Sequence, residues 1–182
     1  WWTEIHPPAR QRVYIGRGGY AGYGYRDVSA LLKNKQLNKR IDYEKVFREA
    51  VEAGDSVVCI TLSSKLSGCN QSAHIAAEEF GDQIHIVDSE NVCIGERILI
   101  ELAVRLREEG KSAQEITDIL NEEKKNVRLI ALLDTLEYLK KGGRISSAAA
   151  FAGTLLSIKP VIGLENGEVT MLGKARGSKN GN

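Results

Sequence analysis

Apolar residues follow two distinct periods along most of the chain after residue 41. Helical spacing predicts four helices: residues 42–53, a helix from the turn after residue 62 to residue 80, residues 93–109, and a helix opened by a Ser112–Glu115 capping box. Continuous apolar runs of strand length occupy residues 57–62, 84–87 and 127–133. Strands and helices that alternate at this interval form βαβ units, so the pattern predicts an α/β fold with a parallel sheet and flanking helices.

The hydrophobic pattern changes after residue 134. Residues 134–137 fit a second capping box, which predicts a helix that ends at Gly142-Gly143, and the small residues 146–156 predict another helix. Asn166-Gly167 is typical of the tight turn of an antiparallel hairpin, here over residues 161–172, because both turn positions need positive φ. A hairpin after a parallel unit indicates the beginning of a second, α+β domain.

We therefore expect an N-terminal α/β domain over residues 1–134 and an incomplete second domain over residues 135–182. Within the first, residues 1–40 are irregular, and only residues 12–15 form a strand candidate. The glycine- and tyrosine-rich stretch over residues 16–25 resembles segments that stack on RNA bases, but one short copy without excess charge is weak support for RNA binding.

The composition narrows the class of protein. Hydrophobic residues make up 42% of the chain and charged residues 27%, with a net charge of +1, as in globular proteins that have no bulk attraction for nucleic acid. The cysteines and histidines lack the spacing of zinc ligands. We find no apolar run of membrane-spanning length and no signal-peptide pattern, so we expect a cytoplasmic protein with reduced thiols and no metal.

The segment after the first long apolar strand is rich in hydroxyl groups. Ser63, Ser64 and Ser67 can each donate to a carboxylate or phosphate, and Gly68 allows close approach of the backbone. Ligands of open α/β sheets bind at this edge, where helix N-termini favour negative charge. The pattern predicts an anion site, although a simple strand–turn–helix with Ser67 as the helix N-cap fits it equally well.

Two further groups are candidates for a role in binding. Asp88 and Ser89 end the next strand at the same edge, so they either line the mouth of the pocket or form an Asx turn. The basic side chains near the double glycine are either a partner surface or cations that a helix C-terminus favours. His74 and His85 are interpreted as structural, because neither has a carboxylate beside it.

Five segments of the chain resemble, in order, the signature segments of the DegV family. They are residues 60–68 (ITLSSKLSG), 87–89 (VDS), 134–145 (DTLEYLKKGGRI), 158–160 (IKP) and 174–177 (KARG). The resemblance covers about residues 42–179. Cys69-Asn70 depart from the Thr-Tyr that is common in the family, and residues 37–42 lack the hydroxyl-bearing segment that usually precedes the first helix.

This resemblance implies a two-domain protein that binds a long-chain fatty acid between its domains. The carboxyl group would lie on serine and threonine hydroxyls and the tail in an apolar tunnel. It also implies a partner, a separate ATP-dependent fatty acid kinase subunit that makes the acyl phosphate, and the candidate docking residues for it are Lys140, Lys141, Arg144 and Arg176. We therefore expect a binding protein with no catalytic residue and no cofactor.

Two other classes of function stay open at this point. A phosphotransferase or hydrolase could use Ser63 or Ser67 as its nucleophile, although the chain has neither a Gly-x-Ser-x-Gly motif nor a clear histidine base. A small RNA-binding protein is the other alternative, and a steep dependence of RNA affinity on salt would reveal it.

Overall fold

The computed structural model describes residues 11–17, 20–21, 39–145 and 158–176. The strands are β1 (Gln11–Arg17), β2 (Tyr20–Ala21), β3 (Ser56–Thr61), β4 (Ile84–Asp88), β5 (Ile130–Leu132), β6 (Ile158–Glu165) and β7 (Glu168–Arg176). The α-helices are α1 (Lys39–Glu52), α2 (Cys69–Ala77), α3 (Cys93–Glu108), α4 (Ala113–Glu123) and α5 (Glu137–Lys141), and short 3₁₀ helices span Gly81–Gln83 and Lys124–Asn126. The predicted helix over residues 146–156 lies outside the described residues.

A four-stranded sheet organises the first part of the chain, in the order β2-β1-β3-β4. β1 pairs in parallel with β3, from Gln11 opposite Ser56 onward, and β3 pairs in parallel with β4. The strand candidate at residues 12–15 is therefore confirmed and extended. The predicted α/β fold with a parallel sheet is also confirmed.

Both faces of this sheet are covered by helices, which explains the continuous apolar run of β3. Val58 and Ile60 pack with buried residues of α3 and α4 such as Leu99 on one face. Val57 and Cys59 pack with residues of α1 and α2 on the opposite face. Full burial of a side chain of leucine size contributes about 1.5–3 kcal/mol, so these two clusters supply the main apolar stabilisation of the sheet.

Helix α4 begins with the predicted capping box. The Glu115 N–H donates to Ser112 Oγ at 3.2 Å, and the Ser112 N–H donates to a carboxylate oxygen of Glu115 at 2.9 Å. The hydrogen bonds from Ser112 lower the pKa of Glu115 to about 2. The box therefore satisfies N–H groups that the helix geometry leaves without a partner.

The second sheet is antiparallel and has the order β5-β6-β7. Residues 127–133 were predicted to form a third strand of the parallel sheet, and this prediction is wrong: only Ile130–Leu132 form a strand, which pairs antiparallel with β6. The apolar run identified a strand but carried no information on its partner. Ile130 is 68% exposed, so one face of β5 has little cover among the described residues.

The predicted hairpin is confirmed by β6 and β7, which are joined at Asn166 (φ 50°) and Gly167 (φ 80°). The predicted end of α5 at the double glycine is also confirmed. The capping box at residues 134–137 is wrong, because α5 begins only at Glu137 with Leu136 at the N-cap position, and Asp134 pairs with Lys159 at 2.8 Å. The hydroxyl of Thr135 accepts the Glu137 N–H at 3.1 Å in its place.

Among the residues that the structure describes, none of the helices combines the length and the apolar character needed to cross a membrane. The same part of the chain contains no group of three or more His, Cys, Asp or Glu side chains that could hold a metal ion.

Candidate functional site

The turn between β3 and α2, residues 63–68, is here called the serine turn. It is tightened by Leu66 and Ser67, whose N–H groups donate to the carbonyl oxygen of Ser63 at 3.0 and 3.1 Å. The Ser63 N–H donates to the carbonyl of Asn91 in the loop after β4, at 2.9 Å. The turn is therefore attached to the neighbouring loop at the carboxyl edge of the parallel sheet, where open α/β sheets bind ligands.

Ser63 is fully buried and its hydroxyl is directed to the second sheet. Its Oγ donates to the carbonyl oxygen of Gly167, at the tip of the β6–β7 hairpin, at 2.6 Å. The same Oγ accepts the Lys65 N–H at 3.3 Å. Because a hydroxyl has one hydrogen, that hydrogen joins the two sheets in this structure.

The other predicted residues of the serine turn are more accessible. Ser64 is exposed and Ser67 half-buried, and the Ser67 Oγ donates to the Cys69 thiol at 3.0 Å and accepts the Cys69 N–H at 3.3 Å. Gly68 is exposed, occupies the N-cap position of α2 and has open space where a side chain would begin. The alternative with Ser67 as the N-cap is therefore wrong by one position, although the Ser67 hydroxyl still accepts the first N–H of the helix.

Asp88 and Ser89 hold the adjacent loop. The Asp88 carboxylate accepts the Glu90 N–H at 3.0 Å, which is the hydrogen bond of the predicted Asx turn, and it also accepts the Ser64 N–H at 3.2 Å. The buried hydroxyl of Ser89 donates to the carbonyl of Asn91 and accepts the Asn91 N–H, both at 3.1 Å. Both side chains therefore shape the edge on which the serine turn rests.

Lys124 is a residue of this edge that the sequence did not reveal. Its ammonium group donates to the Asp88 carbonyl at 3.0 Å and pairs with the Glu90 carboxylate at 2.9 Å. The side chain is 13% exposed, so this contact is more protected from solvent than a surface ion pair. Lys124 follows α4 along the chain, and no local pattern links it to the loop after β4.

The four basic residues of the predicted partner surface have different environments. Lys140 is exposed, and Lys141 pairs with Glu137 one helical turn away at 2.6 Å. Arg144 reaches the serine turn, since its Nε donates to the Leu66 carbonyl at 3.0 Å and a terminal nitrogen donates to the Gly142 carbonyl. The side chain of Arg176 lies outside the described residues.

The interior beneath the turn contains polar groups that are neutral at physiological pH. Burial raises the pKa of the Cys59 thiol to about 12 and the pKa of the Tyr43 phenol above its usual range. Asn70 donates to the Thr61 hydroxyl at 3.0 Å. Among the described residues, no hydrogen bond joins a histidine to a hydroxyl of the serine turn, so this geometry gives no support to a serine nucleophile activated by a base.

Comparison with known proteins decides the family. The sequence profile of the DegV family, a family described as uncharacterised, matches residues 29–181. The chain belongs to the DegV family. In the structure, the segment over residues 60–68 contacts residues 87–89 and, through Arg144, residues 134–145, which in turn pair with residues 158–160 through Asp134 and Lys159.

Relatives with known sequences and structures agree with this assignment. A DegV domain-containing protein of Caldanaerobacter subterraneus is 35% identical over 140 residues, which are 76% of this chain and 50% of the relative. A DegV family protein from Thermus thermophilus, studied for fatty acid binding, is 41% identical with a TM-score of 0.71, over 77% of this chain and 50% of that one. A stearic-acid-binding protein from Eubacterium ventriosum is 32% identical with a TM-score of 0.66, over the same shares. The chain therefore spans about half the length of these relatives.

Proposed function

We propose that this protein binds a long-chain fatty acid, with the carboxyl group at the serine turn. The observation that carries the proposal is that a similar DegV family protein from T. thermophilus and a similar protein from E. ventriosum bind fatty acids on the same fold. The serine turn supports it because it combines accessible hydroxyl groups, an open glycine and the N-terminus of α2 at one edge. The tail would lie between this edge and the second domain.

The accessible hydroxyls are the best candidates for the head-group contact. Ser64 is exposed, and Ser67 donates only to a thiol, which is a weak acceptor that a carboxylate can replace at small cost. Gly68 adds space at the N-terminus of α2. Ser63, Asp88 and Ser89, also predicted as ligand residues, hold the shape of the turn and its neighbouring loop.

The tail and the head group have different roles in this proposal. Each buried methylene group contributes about 0.8 kcal/mol, so a palmitate tail contributes roughly 12 kcal/mol before ordering costs. Each hydroxyl contributes about 1 kcal/mol because it mostly replaces a contact with water. The tail thus determines affinity and the serine turn determines orientation.

The bound molecule can be identified directly. We expect mass spectrometry of lipid extracted from the freshly purified full-length gene product to show a free fatty acid of about 14 to 18 carbons, in keeping with the methylene contribution above. Recovery of phospholipid alone, or of no lipid in repeated preparations, would contradict the proposal.

The contribution of the serine turn can be measured by substitution. We expect Ser67→Ala to weaken palmitate binding by about tenfold, the loss of one hydrogen bond to a charged group, while the protein stays folded. Ser72→Ala removes a hydroxyl further along α2 and is the matched control, expected to bind as the unchanged protein does. Equal affinities for all three proteins would place the carboxyl group elsewhere.

We further propose that the protein is not itself a catalyst but presents the acid to a separate ATP-dependent kinase subunit. Making an acyl phosphate requires a nucleotide site, and the chain contains no Gly-x-x-x-x-Gly-Lys loop. Neutral hydroxyl donors suit a carboxylate that another protein must reach. Among the basic residues near Gly142 and Gly143, Arg144 contacts the serine turn through the Leu66 carbonyl, which supports the proposed role of this group in docking.

The division of labour has a direct test. With ATP, magnesium and palmitate, the protein alone should consume no nucleotide, and adding the kinase subunit should produce acyl phosphate. Lys140→Glu should lower that rate without changing fatty acid content, whereas the control Lys45→Glu, an exposed position on α1, should not. Steady ATP turnover by the isolated protein would overturn the binding-protein proposal.

A further inference from the structure

The tip of the β6–β7 hairpin is packed against the loops of the parallel sheet. Gly167 is buried, and its carbonyl accepts the hydroxyl of Ser63, a residue 104 positions earlier, at 2.6 Å. A Cβ atom at Gly167 would lie 2.5 Å from Ser63 Oγ and 3.6 Å from the Cα of Glu90. The hairpin tip therefore touches both the serine turn and the loop after β4.

We propose that the hairpin tip, Asn166-Gly167, is a positioning element that sets the geometry of the head-group site without contacting the ligand. This inference rests on the proposed fatty-acid function, and it gives a part of the second sheet a role in the recognition of the carboxyl group. Gly167 acts through Ser63, and Ser63 acts through its own carbonyl on the rest of the turn.

The chain of contacts is short and each step is a hydrogen bond. The Gly167 carbonyl fixes the Ser63 hydroxyl, and the Ser63 carbonyl fixes the N–H groups of Leu66 and Ser67 at 3.0 and 3.1 Å. A displacement of Ser63 consequently moves the backbone that carries the Ser67 hydroxyl. Since the 2.6 Å contact is fully buried, bulk water offers no replacement for it once the hairpin tip shifts.

Glycine is required at this position for two separate reasons. Gly167 has φ +80°, which L side chains rarely adopt, and a Cβ atom would collide with Ser63 Oγ. Gly54 allows the two reasons to be tested separately. It has nearly the same backbone dihedral, φ +79°, but a Cβ atom added there would have no atom within 4 Å. Gly54→Ala thus imposes the backbone strain without the collision and is the matched control for Gly167→Ala.

The experiment compares two probes that share a tail and differ in the head group, palmitate and 1-hexadecanol, on the full-length gene product. We expect Gly167→Ala to weaken palmitate binding about tenfold and hexadecanol binding less than about twofold, since one charge-assisted hydrogen bond is misaligned while tail burial is unchanged. Gly54→Ala should change neither affinity. If Gly167→Ala does not fold, Ser63→Ala removes the same contact from its other side and should show the same difference between the two probes.

A double-mutant cycle tests the route of the effect. If the hairpin tip acts through Ser63, Ser63→Ala combined with Gly167→Ala should bind palmitate no more weakly than the weaker single variant. The inference would be overturned if the losses in palmitate affinity of the two single variants multiply in the double variant, or if palmitate and hexadecanol lose affinity equally. Either outcome would leave the proposal of fatty acid binding in place. An unchanged protein that binds neither probe would instead refute the proposed function itself.

Discussion

The two sheets of this protein differ in how their faces are covered. In the parallel sheet, all residues of β3 from Val57 to Thr61 are buried, with helices on both faces. In the antiparallel sheet, one face packs against Leu66 and α5, while Ile130 and Leu172 on the described strands are 68% and 54% exposed. The first sheet thus has a closed core of its own, and the second is ordered in part through its contacts with the serine turn.

This difference explains where a binding site can form. A sheet with both faces covered leaves only its edges available, and the carboxyl edge of β3 and β4 carries the loops that the second sheet touches. Leu66 of the serine turn joins the apolar cluster of the second sheet, and Ser63 bonds to its hairpin. The candidate site therefore lies at the contact between a closed core and a half-covered sheet.

The largest expected effect tests this contrast in stability. Leu99→Ala, in the closed core, should lower the free energy of unfolding by about 2–5 kcal/mol, since it leaves a cavity among well-packed neighbours. Ile130→Ala, on the exposed face, should change it by less than about 0.5 kcal/mol. Urea unfolding followed by circular dichroism measures both. A loss at Ile130 as large as that at Leu99 would mean that the exposed face is covered in solution.

A smaller effect is expected where the two sheets meet. Ser63→Ala should cost about 1–3 kcal/mol of unfolding free energy, because it leaves the Gly167 carbonyl without its buried donor. Ser64→Ala, one residue away and exposed, should cost less than about 0.5 kcal/mol. Equal stabilities of the two variants would show that the hydrogen bond between Ser63 and Gly167 contributes nothing to folding.

The smallest effect concerns the rim of the closed core, at the start of α4. Ser112→Ala should cost about 1 kcal/mol at neutral pH, because it removes the N-cap hydroxyl. The pKa of Glu115 is lowered to about 2 in the folded protein, so the ionised carboxylate stabilises the fold at pH values above its ordinary pKa. This stabilisation is lost as the pH falls from about 4.5 toward 2.

Thermal unfolding between pH 7 and pH 2 checks this prediction. The melting temperature of the unchanged protein should fall more over the acid range than that of Ser112→Ala, so that the gap between the two curves narrows at low pH. The gap does not close, because the variant keeps the backbone N–H of residue 112 that also bonds to Glu115. Curves that stay parallel down to pH 2 would show that the capping box does not titrate in this way.

The sequence predicted well the elements whose signals are local, in both sheets. The capping box at Ser112, the apolar run of β3 and the turn at Asn166-Gly167 each need only a few neighbouring residues to be recognised. The strand at residues 127–133 was placed in the wrong sheet, since an apolar run does not specify its partner. The box at Asp134 was wrong because α5 begins two residues later than the pattern predicts, and the Asp134 carboxylate pairs with Lys159 of β6 instead.

The candidate site shows the same limit. The serine turn was visible as a cluster of hydroxyls after a strand, and its position at the carboxyl edge followed from the fold class. The donor role of Ser63 toward Gly167 and the contacts of Lys124 with Asp88 and Glu90 join residues far apart in the chain. Such contacts depend on the packing of whole elements, which local patterns do not encode.

The hairpin and the parallel sheet also differ in how early they can form during folding. β6 and β7 are joined by two residues, and a hairpin of this kind closes in about 1–10 μs. β1 and β3 pair across the whole of α1 and the residues before it, so their ladder must overcome a larger loop-closure entropy. The contact between Gly167 and Ser63, 104 positions apart in the chain, is therefore expected to form late in folding, because it needs the parallel sheet as well as the hairpin.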